Sequence, residues 1–122
     1  MIDFSPAYNE GLIVHCRTEE ESLALFLEAK QEFRDIPSNL RLYNKDFIIG
    51  LHKSRRDRVA YRFSAIGDDL MHVSRSSIDW YREQPRYKSC KIIEYCNEIV
   101  DYGTISDDQI DISYLLGGDV SA

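Results

Sequence analysis

GLIVHCRTEEESLALFLEAKQEFRDI, residues 11–36, decides the architecture. Leu12, Val14 and Cys16 alternate with Ile13, His15 and Arg17, the period of two that makes a β-strand. The period then changes. Thr18 with Glu21 three residues on is a capping box, in which a hydroxyl and a carboxylate each satisfy a free backbone N–H, and Glu19 and Glu20 suit the positive end of a helix dipole. Leu23, Phe26, Leu27, Ala29, Phe33 and Ile36 follow at spacings of three and four, with Glu28, Lys30, Glu32 and Arg34 mostly opposite, until Pro37 and Asn39 stop the helix. A strand feeding an amphipathic helix is the opening of a mixed domain.

Working outward, residues 1–10 show no periodicity and contain Pro6, which predicts an irregular arm. Leu40 and Leu42, then Phe47, Ile49 and Leu51, and again Val59, Tyr61 and Phe63 alternate like strands. His52-Lys53-Ser54-Arg55-Arg56-Asp57 between the last two runs is polar and short, so it reads as the loop of an antiparallel hairpin. Turn chemistry at Ile66-Gly67-Asp68-Asp69 precedes a short strand through Leu70, Met71 and Val73. Ser77 is placed to cap a brief helix over Ile78, Trp80 and Tyr81, which ends before Pro85. Cys90 to Tyr95 is the candidate final strand, and Ser106 with Gln109 opens a short C-terminal helix that Gly117-Gly118 stops. The expected fold is a single α+β domain over residues 1–122. Its sheet is mainly antiparallel, the N-terminal amphipathic helix packs on one face, and residues 96–122 dock as a helix or engage a partner.

With 122 residues, 43% of them hydrophobic and 30% charged, the chain has room for one core and the composition of a folded domain. Its longest apolar runs fall far short of the roughly 18 residues a membrane span requires. The start, Met1-Ile2-Asp3-Phe4-Ser5-Pro6, lacks the basic and apolar pattern of a secretory signal, which makes the cytoplasm the expected location. Three cysteines, Cys16, Cys90 and Cys96, then read as reduced thiols.

Charge is sorted along the chain. Residues 1–51 carry nine acids and five bases, residues 52–91 five acids and ten bases, and residues 92–122 seven acids and no base. Like charges held together repel and must shed solvation unless a partner uses them, so sorting points to a charged macromolecule. The candidate acidic face comprises Glu94, Glu98, Asp101, Asp107, Asp108 and Asp111, a set able to imitate a phosphate backbone. Lys53, Arg55, Arg56 and Arg58 form the candidate basic hairpin, with Tyr61, Phe63, Trp80, Tyr81 and Tyr87 interleaved as stacking platforms for bases. A net charge of −6 weighs against general nucleic-acid affinity and puts nucleic acid second to protein as a partner. Phosphate-binding glycine loops, nucleophile elbows and paired CxxC sites are all missing, which predicts no catalytic residue, no metal and no cofactor. His15, His52 and His72 lie on or beside separate expected strands; their convergence would make an acid–base site for a small hydrolase or a ligand-sequestering protein.

The run His15-Cys16-Arg17-Thr18-Glu19-Glu20-Glu21 with Leu25-Phe26-Leu27-Glu28-Ala29, and the later Tyr87-Lys88-Ser89-Cys90-Lys91-Ile92-Ile93-Glu94-Tyr95, are similar to a loose family of small proteins encoded by phages and mobile elements of Gram-positive bacteria. That family shows a strand, a "TEEE" helix and a closing "YK-x-x-KIIEY"-like strand. The resemblance covers two stretches, carries no catalytic residue, and departs from the pattern over residues 96–122. It implies an accessory gene from a pool that includes inhibitors of host defence such as anti-CRISPR proteins. Together these readings predict a non-enzymatic inhibitor of a host defence or nucleic-acid-handling protein that binds by charged contacts. In that reading the basic hairpin supplies a second contact or a homodimer contact; the alternatives are a nucleic-acid-binding accessory protein using the basic hairpin, and a small hydrolase or ligand-sequestering protein.

Overall fold

The computed structural model describes residues 2–66 and 70–95. Four strands form one sheet: β1 (Leu12–Cys16), β2 (Val59–Ile66), β3 (Leu70–Ser77) and β4 (Lys91–Glu94), in the order β3-β2-β1-β4. The β2–β3 and β1–β2 pairs are antiparallel, and β4 lies parallel to β1 with Val14 opposite Ile93. Helix α1 (Glu19–Glu32) and helix α2 (Lys45–Arg55) cover one face; α3 (Ile78–Glu83) and the 3₁₀ turn Pro85–Tyr87 cover part of the other. This is the expected α+β domain with a mainly antiparallel sheet. Among the described residues, no helix is long and apolar enough to cross a membrane. The acidic segment 96–122 and its expected helix lie outside the described residues.

Strand alternation assigns side chains to the two faces. Leu12, Val14, Cys16, Val59, Tyr61 and Phe63 enter the larger core beneath α1 and α2, while Ile13 and Ala60 point to the smaller cluster beneath α3. At the start of α1, Thr18 Oγ1 accepts from the Glu21 N–H at 3.1 Å. The Glu21 carboxylate reaches back to Arg17 N at 2.8 Å, one residue before the cap, so the box closes across the strand–helix joint. The helix ends at Glu32, with Phe33 turning the chain, so residues 33–36 fall outside it. The N-terminal arm is anchored, not loose: Ile2 N donates to Glu28 Oε1 at 2.9 Å, and the Phe4 ring meets Phe33 and Phe63 edge-on. Gly11 then lets the arm turn into β1. Its φ is +98°, and a Cβ there would come within 2.9 Å of Cys90 Sγ, so any side chain is both strained and obstructed.

The expected strands at 40–42 and 47–51, and with them the basic hairpin, are corrected by the structure. Leu40–Leu42 is a 3₁₀ turn and Lys45–Arg55 is α2. The apolar run Phe47-Ile48-Ile49 with Leu51 satisfies a period of two as well as a helical one. The deciding signal is Asn44, whose side chain accepts from Phe47 N at 3.0 Å and caps the helix. Lys53 and Arg55 then fall in the last turn of α2, where the dipole favours cations, and Arg56 and Arg58 belong to the 3₁₀ turn that follows. Arg56 itself takes a positive φ of 56° with ψ −119° at the helix's C-terminal cap, where the chain leaves the helix.

Asn39 does for β3 what a neighbouring strand would do. Its Nδ2 donates to Val73 O and its Oδ1 accepts from Val73 N, both at 2.8 Å, and Tyr43 Oη donates to the same carbonyl at 2.9 Å. An amide side chain thus closes part of an exposed edge. Asn39→Leu is expected to cost about 1–3 kcal/mol, the penalty for orphaning half-buried backbone groups. Urea denaturation reads it; a loss below about 0.5 kcal/mol, the range of an ordinary surface change, rules the clamp out.

Candidate functional site

The segment 77–90 builds the surface that most distinguishes this domain. Ser77 caps α3 by accepting from Trp80 N at 3.2 Å. One side of the short helix then turns inward, where Ile78 and Tyr81 pack on Ile13 and Ala60. Tyr81 Oη pairs with Ser74 Oγ at 2.8 Å on β3, and burial pushes its phenol up to about 12, against the opposing effect of that hydrogen bond. Anchored in this way, α3 presents Trp80 outward. The Trp80, Tyr81 and Tyr87 rings form a closed trio, with centroids 5.4, 5.9 and 5.5 Å apart and tilted or edge-on planes. Arginines flank it on both sides. Arg62, from β2, lies 4.7 Å from the Tyr87 ring centre, and Arg86 lies 4.9 Å from Tyr87 and 5.8 Å from Trp80. Arg62 Nη2 also donates to Ser64 Oγ at 3.3 Å, whereas its buried Nε has no partner among the described residues.

Glu94 stands on the same face, and it is not a free acid. His15 Nδ1 lies 2.7 and 2.8 Å from its two oxygens, Arg82 Nη2 3.7 Å and Arg17 Nε 4.0 Å. The far ring nitrogen of His15 meets Asp57 O at 2.7 Å. Side chains from β1, the following loop and α3 thus surround the one carboxylate of the expected acidic face that is described. Glu98, Asp101, Asp107, Asp108 and Asp111 lie outside the described residues.

The expected basic residues partly converge. Arg55, Arg56 and Arg58 line a depression of about 490 Å³ with Asp57 and Ser77, and Lys53 is exposed on α2 outside that lining. Arg58 also faces Asp79 at 3.6 Å, an exposed pair that adds little to stability. Of the expected stacking aromatics, Tyr61 and Phe63 are core residues with no exposed surface, Tyr81 is buried, and Trp80 is 37% exposed.

The histidines do not share a site. His72 is exposed on β3 and His15 serves Glu94, while His52 sits under α1. Its Nδ1 donates to Arg56 O at 2.8 Å, so Nε2 is left to accept from Ser22 Oγ at 2.7 Å, and Tyr61 Oη donates to that Ser22 oxygen at 3.0 Å. This has the connectivity of an activated serine, yet Ser22 has no accessible surface, so no substrate atom can approach it. The chain of bonds is internal structure. No group of three or more His, Cys, Asp or Glu side chains among the described residues is arranged to hold a metal ion. Cys16 and Cys90 are both buried, and Cys90 Sγ donates to Glu10 O at 3.1 Å.

Comparison of the chain with protein-family models, with curated proteins and with solved structures finds no match.

Proposed function

We propose that this chain is a non-enzymatic binding protein that docks on a protein partner through the α3 surface, with Trp80, Tyr87 and Arg86 at the centre of the contact. The supporting observation is the half-exposed Trp80 set between Arg86 and Tyr87 on a helix whose inner side is fully packed. Trp, Tyr and Arg dominate the few residues that carry binding energy at protein interfaces; the two aromatics bury much surface at little entropic cost, and Arg adds a planar fork of donors. Here the arginine planes are already held on ring faces, so part of the ordering cost of docking is met before a partner arrives. The likeness of the 15–29 and 87–95 stretches to small proteins of phages and mobile elements extends the proposal to a host defence or nucleic-acid-handling protein as target, met in the cytoplasm, with Glu98, Asp101, Asp107, Asp108 and Asp111 as a second contact.

The chain has one tryptophan, so its fluorescence reports directly on the surface. A purified partner is expected to shift Trp80 emission, and Trp80→Ala with Arg86→Ala is expected to weaken its binding by about 30-fold or more, the scale of an interface hot spot. Arg86→Ala, an exposed change, is expected to leave the thermal midpoint nearly unchanged, and Trp80→Ala to lower it modestly through the lost ring contacts with Tyr81 and Tyr87. Equal binding by wild type and double variant would remove the α3 surface from the proposal. Steeply salt-dependent binding of single-stranded DNA or RNA, lost on reversing Arg55, Arg56 and Arg58, would replace it with a nucleic-acid reading.

A further inference from the structure

A second surface, on the opposite side of the sheet, has a different chemistry. Where α1 ends and the chain runs through the 40–42 turn into α2, a cleft of about 720 Å³ opens, within the range of small-molecule sites. Three cations line it: Lys30 from α1, Arg34 from the turn after it, and Arg41 from the 3₁₀ turn. Ile36 and Pro37 contribute the accessible apolar lining, with the buried Phe33 and Leu40 beside them, and Asp35 is the one acid. Among the described residues none of the three cations makes an ion pair, so Asp35 leaves the lining at a net charge of +2.

Lys30 is the informative member. Its ammonium is half-buried and carries three donors, of which one reaches Tyr43 O at 3.2 Å. Burial pulls its pKa below the ordinary lysine value with no carboxylate to offset the loss of solvation. A cation drawn partly out of water is normally paired, and this one faces a cleft that two guanidinium groups share.

We infer that the Lys30–Arg34–Arg41 cleft binds a small organic anion, a carboxylate or phosphate monoester whose charged head meets the three cations and whose apolar body lies against Ile36 and Pro37. The two parts of the cleft make separable demands on a ligand. A bare anion satisfies the cations and forgoes the burial of apolar surface. A neutral amphiphile does the reverse and must strand Lys30. The site is independent of the α3 surface, so either can fail without the other.

The test is an amide-resolved NMR titration of the full chain with octanoate, phenyl phosphate, inorganic phosphate and octanol. Octanoate and phenyl phosphate are expected to move the amides of residues 30–44 saturably, with inorganic phosphate and octanol at least tenfold weaker. Arg41→Gln, an exposed change that leaves the fold intact, is expected to weaken both organic anions about tenfold, and Lys30→Met to do so at least as strongly. Responses centred outside residues 30–44, equal binding of octanol or of inorganic phosphate, or unchanged affinity in Arg41→Gln would each overturn the inference.

Discussion

Phe26→Ala is expected to remove about 3–5 kcal/mol of stability, the cost of deleting a large buried ring whose surroundings collapse only in part. The position is the meeting point of the larger core. Phe26 has no exposed surface, stacks on Tyr43 at 4.7 Å with planes 6° apart, meets Tyr61 edge-on at 4.7 Å, and lies 5.8 Å from Phe63. One ring on α1 therefore touches the segment before α2 and the middle of β2, so its loss opens a cavity where three pieces of chain meet. Against a total of roughly 5–15 kcal/mol for a domain of this kind, the variant is expected to be largely unfolded in modest urea. Leu42→Ala is the matching control, since Leu42 is exposed and its truncation should change the urea midpoint by no more than about 0.5 kcal/mol in free energy. Similar losses for the two variants would refute the placement of Phe26 at the centre of the core.

Stability is expected to fall on acidification below about pH 6.5, and His52 is the cause. Its ring is 8% exposed, and burial holds its pKa below the ordinary histidine value despite the opposing influence of Arg56 O and of Glu19, Glu20 and Glu21. Above the unfolded-state pKa the ring is neutral in both states and the contribution is complete. As pH falls through that value the unfolded chain takes up a proton that the folded chain refuses, so stability declines until the folded pKa is reached. Protonating Nε2 would also turn the acceptor of the Ser22 hydroxyl into a second donor. The slope from one such group reaches at most about 1.4 kcal/mol per pH unit. His52→Gln, which retains an acceptor for Ser22, is expected to flatten the difference between unfolding free energies at pH 7.5 and pH 5. If wild type and variant lose stability in parallel over that window, the effect belongs to other groups.

Several elements were legible because their signal is local. Thr18 with Glu21 announces α1, Ser77 announces α3, and Val59-Ala60-Tyr61-Arg62-Phe63 alternates in a way only a strand sustains. The segment 40–51 was not legible from its apolar residues, since Phe47, Ile48, Ile49 and Leu51 fit two periods at once. The asparagine at 44 carried the distinction. The parallel pairing of β4 with β1 has no local mark either, because it depends on where α3 and its turn carry the chain across the sheet.

The sites divide in the same way. Interleaved aromatics and arginines over 61–87 are plain in the sequence, but which rings face water is set by the sheet: Tyr61 and Phe63 share the face that α1 and α2 bury, and Trp80 lies on the outer side of a helix anchored by Tyr81. Glu94 belongs by position to the acidic end of the chain and by contact to His15, Arg82 and Arg17. Lys30, Arg34 and Arg41 stand in the part of the chain with an acidic balance, so no charge count along the sequence singles them out.

The sequence by itself determined the α+β class, the start of α1 and α3, the two middle strands and the presence of sorted charge, because each rests on interactions between residues a few positions apart. Tertiary structure alone decided which charges remain available, which aromatics are exposed and where a cleft opens. Those depend on contacts such as His15 with Glu94, 79 residues apart, whose energies follow distance and burial in space, not order along the chain.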